Sequence, residues 1–210
     1  MKSYLDLMMV LSPPGNIKEI IEVHKQAAAK IIGAYESQHS IAHISITSLP
    51  RQKPFMIEHN LLFLENKLKT LPPIDLTIDG FDHFNHGEAF RTIYARIRSS
   101  PQTAAWFKEL KKILNLKEYL VPHITIARNI PIDSFNQLWP HFKPVKLVAD
   151  FRVESLTLLH REAFASFAKW GIYKELPFES KLKLEEIKPR RNLIDLRKEV
   201  TLKNQQISLF

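Results

Sequence analysis

Apolar residues alternate with other residues from Tyr4 to Leu11, putting Leu5, Leu7, Met9 and Leu11 on one face and predicting a strand that Ser12-Pro13-Pro14-Gly15 ends. The period then lengthens. Ile17, Ile20, Ile21, Ala28 and Ile31 recur at helical spacing, with Asn16 and Glu19 placed as a capping pair and Gly33 suited to the helix end. A β-branched run over about Ile41 to Ser48 predicts a second strand, and a second helix from Pro54 to Lys69 is stopped by Pro72-Pro73. Ile74 to Phe81 and Ala89 to Arg98 read as strands joined across Asn85-His86-Gly87. Ser100-Pro101 starts a helix with Phe107, Leu110, Ile113 and Leu114 as its buried stripe. Another strand follows at Val121 to Arg128, then a short helix near Ile132 to Phe142, and strands near Phe151–His160 and Phe167–Leu176. The order β-α-β-α-β-β-α-β-α-β-β predicts an α+β fold with antiparallel sheets rather than a doubly wound parallel one.

Two of these strands carry the same short pattern. His43-Ile44-Ser45-Ile46 and His123-Ile124-Thr125-Ile126 each set a histidine, an apolar residue, a hydroxyl residue and another apolar residue in succession. Residues two apart on a strand share a face, so each copy presents an imidazole beside a hydroxyl while its isoleucines enter the core. One such tetrapeptide is usually a half-buried histidine with a polar neighbour. Two copies, 80 positions apart in matching contexts, point instead to a weak internal duplication and to one small space lined by two imidazoles and two hydroxyls.

That set suits phosphate ester chemistry. A neutral imidazole takes a proton from water or a hydroxyl, and a charged one gives a proton to the leaving oxygen, each transfer contributing on the order of 10²–10⁴ in rate. Ser45 and Thr125 can donate to the non-bridging oxygens where charge develops. No metal or other cofactor is required by this logic. Ser45 as a nucleophile would lack the strained Gly-x-Ser-x-Gly elbow. A metal clamp of His83 and His86 with Asp82 or Glu88 would lack any recognised zinc spacing. The remaining histidines show no partner pattern.

Cysteine is absent, which excludes disulfides, thiolate nucleophiles and Cys-ligated zinc. Asp6 interrupts what a signal peptide would need as an unbroken apolar run, and no stretch reaches a membrane span, so a cytoplasmic protein without membrane partners is expected. The formal charge is +8, and Lys181 to Phe210 carry half of it, with eight basic and four acidic residues. Such a balance favours an anionic partner, RNA or a nucleotide, although a solvated basic surface gives the same count.

Further residues extend the pattern. Ile78-Asp79-Gly80-Phe81-Asp82-His83-Phe84 resembles a Gly-Phe-x-x-Phe segment, and Pro122-His123-Ile124-Thr125-Ile126-Ala127-Arg128 resembles Pro-His-x-Thr-x-x-Arg. Together with the paired motifs, these make residues 1–178 similar to the two-histidine phosphoesterases, the RNA 2′,5′-ligase/cyclic phosphodiesterase family, with 179–210 a basic extension that resembles nothing. Ser45 stands where many members carry Thr, which keeps the hydroxyl. The resemblance implies a bilobal, pseudo-two-fold fold with the motifs meeting across a cleft, and metal-independent hydrolysis of 2′,3′-cyclic phosphates on RNA or nucleotides. Some members act on or join 2′,5′ linkages; a binding module without catalysis is the alternative outside enzymes. On the strength of that resemblance, His123 is expected to activate water and His43 to protonate the departing 3′-oxygen, with the swapped roles left open by the symmetry of the two motifs. Arg128 would lie near the phosphate, which strict alternation from His123 forbids and a bulge or strand end would allow. Phe81, Phe84 and Tyr94 are available for base stacking, Phe84 and Tyr94 above all.

Overall fold

The computed structural model describes residues 4–165 and 168–181, so nearly all of the expected basic extension, and Phe167 of the last expected strand, lie outside the described residues. The alternating and helical periods form β1 (Leu5–Leu11), α1 (Gly15–Ile32), β2 (Ile44–Gln52), α2 (Pro54–Leu68), β3 (Ile74–His86), β4 (Phe90–Ile97), α3 (Pro101–Ile113), β5 (His123–Pro131), α4 (Ile132–Phe142), β6 (Val148–Val153), β7 (Ser155–Glu162) and β8 (Gly171–Pro177). Among the described residues there is one strand more than the sequence predicts. The run expected as Phe151–His160 breaks at Glu154 into β6 and β7, which join opposite halves of the sheet.

The eight strands form one sheet in the order β6-β3-β4-β5-β2-β1-β7-β8, antiparallel throughout. Its two halves, β6-β3-β4-β5 and β2-β1-β7-β8, are the two lobes, and β1-α1-β2 in one corresponds to β4-α3-β5 in the other. The lobes are thus halves of a single sheet rather than separate sheets. They join at one residue pair, Ile44 with Ile124, both fully buried. Burying each isoleucine contributes roughly 1.5–3 kcal/mol.

Local chemistry explains most element ends. Ser100 caps α3: its Oγ accepts from the Thr103 N–H at 3.1 Å, and the Thr103 hydroxyl oxygen accepts from the Ser100 N–H at 2.8 Å. α1 begins before the expected Asn16 cap. The Pro14 carbonyl accepts from the amides of Ile17 and Lys18, and no side chain caps the helix. Gly33 ends α1 at φ +78°, a left-handed conformation that favours glycine. The β3–β4 turn falls at Gly87-Glu88-Ala89, because β3 runs on through His86.

The helices bury Ile17, Ile21 and Ala28 of α1, Trp106, Phe107 and Leu110 of α3, and Phe135, Leu138 and Phe142 of α4. Ile31, expected in the α1 stripe, is 38% exposed, whereas Lys25, at a core position of the same stripe, is 1% exposed.

Candidate active site

The single pair at the lobe junction sets the site. Both isoleucines follow a motif histidine directly, so continuing the Ile44–Ile124 register by one residue either way faces His43 with Thr125 and Ser45 with His123. All four side chains lie on the sheet face opposite the two isoleucines. The motifs are therefore neighbours in the middle of one sheet, on the two strands where its halves meet. His43 stands just before β2 begins and His123 opens β5, so each imidazole sits where its strand enters the junction.

The imidazoles are held alike. His43 Nδ1 lies 2.7 Å from the Ile41 carbonyl oxygen, and His123 Nδ1 lies 2.7 Å from the Val121 carbonyl oxygen. A carbonyl only accepts, so each Nδ1 carries a hydrogen and each Nε2 is the atom left to take or give a proton. His43 Nε2 is 3.1 Å from Ser45 Oγ, so histidine and hydroxyl share a face as the strand period requires. His123 is also buttressed by rings: Phe84 edge-on and Tyr94 tilted, each with its centroid 5.0 Å away, while Phe84 and Tyr94 stack on one another at 4.2 Å.

Burial holds both imidazoles below the usual histidine pKa. The backbone bonds to Ile41 and Val121 oppose that shift, and the Arg128 guanidinium pushes each value further down. His43 additionally feels the charges of Lys25 and His123. Positive charge is thus focused on this face of the sheet, around the two imidazoles.

Arg128 reaches this focus through a break in alternation. Ile126 and Ala127 are buried in succession, the β4–β5 ladder slips on either side of Ile93, and Asn129 takes φ +51°. That bulge turns the exposed Arg128 to the histidine face, as the expected position requires. A second bulge does the same for β3. Gly80 sits at φ +72° and donates its N–H to the Leu147 carbonyl at 2.7 Å, where the ladder slips between Ile78 and Phe81. Beyond it, Phe81 packs into the core against His24 and Phe142, while Phe84 meets His123. Of the aromatic residues expected to stack on a base, Phe81 is therefore core. Tyr94 is 5% exposed and supports His123, and Phe84 alone is partly open.

The other titratable candidates lie elsewhere. His83 packs on Phe135 and Trp139 of α4, and His86 Nε2 is bonded to Thr92 Oγ1 at 2.9 Å. Among the described residues no three His, Cys, Asp or Glu side chains converge as a metal site. No described helix is long and apolar enough to cross a membrane. Sequence reasoning missed Lys25, Ser37 and Ser40, which stand behind His43.

An antiparallel α+β sheet of two matched halves, with a histidine–hydroxyl pair from each at their junction, defines the class of protein. The 2′-5′ RNA ligase superfamily model matches residues 33–163, both motifs included, and the chain belongs to that family. No curated protein matches. Among solved structures, TT0787 of Thermus thermophilus is similar at 15% identity and TM-score 0.61, over 84% of this chain and 100% of that one. E. coli LigT in apo form is similar at 15% identity and TM-score 0.58, over 86% and 100%. LigT complexed with 3′-AMP gives 14% and 0.56, over 85% and 100%. At these identities the likeness concerns the fold.

Proposed function

We propose that this protein hydrolyses 2′,3′-cyclic phosphate ends of RNA or nucleotides to a phosphomonoester by acid–base catalysis from His43 and His123, without a metal. The observation that carries this reading is the Ile44–Ile124 register, which gathers two Nε2 atoms and two hydroxyls on one sheet face. With the phosphate seated between the imidazoles, His123 Nε2 takes a proton from water as the water oxygen bonds to phosphorus. His43 Nε2 gives its proton to the 3′-oxygen as that P–O bond breaks, leaving a 2′-phosphate and a 3′-hydroxyl. Ser45, Thr125 and Arg128 meet the non-bridging oxygens. The charge focus draws both histidines toward their neutral forms in the free protein; the bound phosphate monoanion offsets it and lets one imidazole hold its proton. E. coli LigT crystallised with phosphate, ATP and 3′-AMP supports a nucleotide ligand for this fold.

The test is turnover of 2′,3′-cyclic AMP, cyclic-ended RNA and 2′,5′-linked oligoadenylate in excess chelator, with products resolved by chromatography. Hydrolysis of a cyclic phosphate under chelation supports the proposal; activity only with added divalent ions overturns it. A 5′-hydroxyl RNA in the same panel tests the family's ligase direction, in which that hydroxyl replaces water, gives its proton to the same base and forms a 2′,5′ linkage as the protonated 3′-oxygen leaves.

A further inference from the structure

Lys25 lies outside both motifs, on α1, at 1% exposure. Its ammonium donates to the Ser37 carbonyl at 3.3 Å, to Ser40 Oγ at 2.7 Å and to the Ser40 carbonyl. Three donors meet three acceptors. All are neutral, and among the described residues no carboxylate pairs with it. A buried charge without a counter-ion is costly, and an apolar side chain of similar length would fill this core position at less expense. What the charge holds is the turn leading into the first motif. Within that turn Ser40 Oγ donates to the Ser37 carbonyl at 2.8 Å, and Tyr35 Oη returns to the Lys25 carbonyl at 3.1 Å. The turn then touches both motifs: the Ile41 carbonyl accepts from His43 Nδ1, and Ser37 Oγ accepts from the Arg128 N–H at 2.8 Å, at the β5 bulge.

We propose that Lys25 is a positioning residue for the two-histidine cleft, tying the 37–40 turn to α1 so that His43 and the Arg128 bulge are held in fixed relation. The proposal rests on the function above only for its kinetic consequence. Its electrostatic consequence is separate. The groups facing His43 are Lys25 from α1 and His123 and Arg128 from β5, and those acting on Lys25 are Glu22 of its own helix and Arg128. Burial lowers the Lys25 pKa to about 8, so at neutral pH it is still mostly charged and makes protonated His43 the readier donor. The groups that act on His123 are instead the Val121 carbonyl and Arg128.

The experiment follows both imidazoles by NMR titration in the wild type and in Lys25→Met, alongside turnover of 2′,3′-cyclic AMP. The pKa of His43 should rise while that of His123 stays, and kcat should fall roughly 10–100-fold with KM changed far less. Because the chain has no cysteine, Lys25→Cys can be alkylated with 2-bromoethylamine while unfolded and then refolded, restoring an ammonium at this position alone; it should restore both readouts. A folded Lys25→Met with unchanged His43 titration and kcat overturns the proposal. Should that variant not fold, Ser40→Ala decides: it removes one of the three acceptors, and an unmoved His43 titration there overturns the proposal too. If the wild type turns over neither 2′,3′-cyclic AMP nor cyclic-ended RNA but the imidazole shift appears, the proposed function fails and the Lys25 link stands.

Discussion

Replacing His43 or His123 by alanine separates chemistry from fold, and the structure says what each change costs. Loss of one proton transfer should raise the barrier by about 2.7–5.4 kcal/mol, a roughly 10²–10⁴-fold fall in kcat. The two variants differ in their effect on the fold. His123→Ala loses ring contacts to Phe84 and Tyr94, about 0.5–1.5 kcal/mol each, and the bond to the Val121 carbonyl, of about the same size. The total is a few kcal/mol, set against the roughly 5–15 kcal/mol that holds a typical domain together. His43→Ala loses the bonds to the Ile41 carbonyl and to Ser45 but no ring contact among the described residues, so it should melt closer to the wild type. The assay is hydrolysis of 2′,3′-cyclic AMP in chelator, with circular dichroism and thermal melting of each variant. Both should be folded and both slow by at least roughly 10², and the double variant should be little slower than the worse single one, because the pair acts as a unit. A folded His43→Ala or His123→Ala with near wild-type turnover would refute the mechanism.

Much of this molecule was legible in the sequence because period and punctuation agreed. All four helices fall within a residue or two of the ends set by Gly33, Pro54, Pro101 and Ile132. The paired motifs were legible because a histidine and a hydroxyl two apart on a strand share a face wherever that strand is placed. What stayed hidden depends on partners rather than on period. Nothing in Ile44 or Ile124 says that they pair with each other, yet that one register builds the site. The split at Glu154 escaped notice because β6 and β7 follow one another almost directly while pairing with opposite lobes. Arg128 lay on the wrong face by counting; the successive burial of Ile126 and Ala127 corrects it, and two apolar residues in a row are a weak sign of a bulge. Lys25 did leave a signal: Ile17, Ile21, Lys25 and Ala28 trace one helical stripe, and a lysine within an apolar stripe invites the question of what it bonds. The answer lay in the turn after Gly33, whose bonds to Lys25 no periodic pattern records.

Ser45→Ala and Thr125→Ala should each raise the barrier of the chemical step by roughly 2–4 kcal/mol, whereas Ser45→Thr should be tolerated; losses confined to KM would mean that the hydroxyls bind substrate and transition state equally. Activity should follow a bell-shaped pH curve, with the limbs of kcat/KM displaced below the usual histidine range by burial and Arg128, and the limbs of kcat lying higher because bound phosphate offsets that charge. A flat profile from about pH 5 to 9 would count against the pair, unless product release limits turnover. Stability should respond in the same region. His24, His43 and His123 are each held below their unfolded value of 6.5, so the unfolded chain binds more protons as pH drops through that value. The melting temperature should therefore fall on acidification, and a melt unchanged from pH 7.5 to 5 would show that these imidazoles are not shifted. The roles of the two histidines separate chemically. In-line attack puts base and acid on opposite sides of phosphorus, and a substrate whose leaving 3′-oxygen is replaced by sulfur hardly needs a proton at that atom. It should rescue His43→Ala and leave His123→Ala slow, and phosphorus NMR of the ordinary product should show a 2′-phosphate. Rescue of His123→Ala instead would exchange the roles, and a dominant 3′-phosphate would mean that the ribose enters the cleft the other way round.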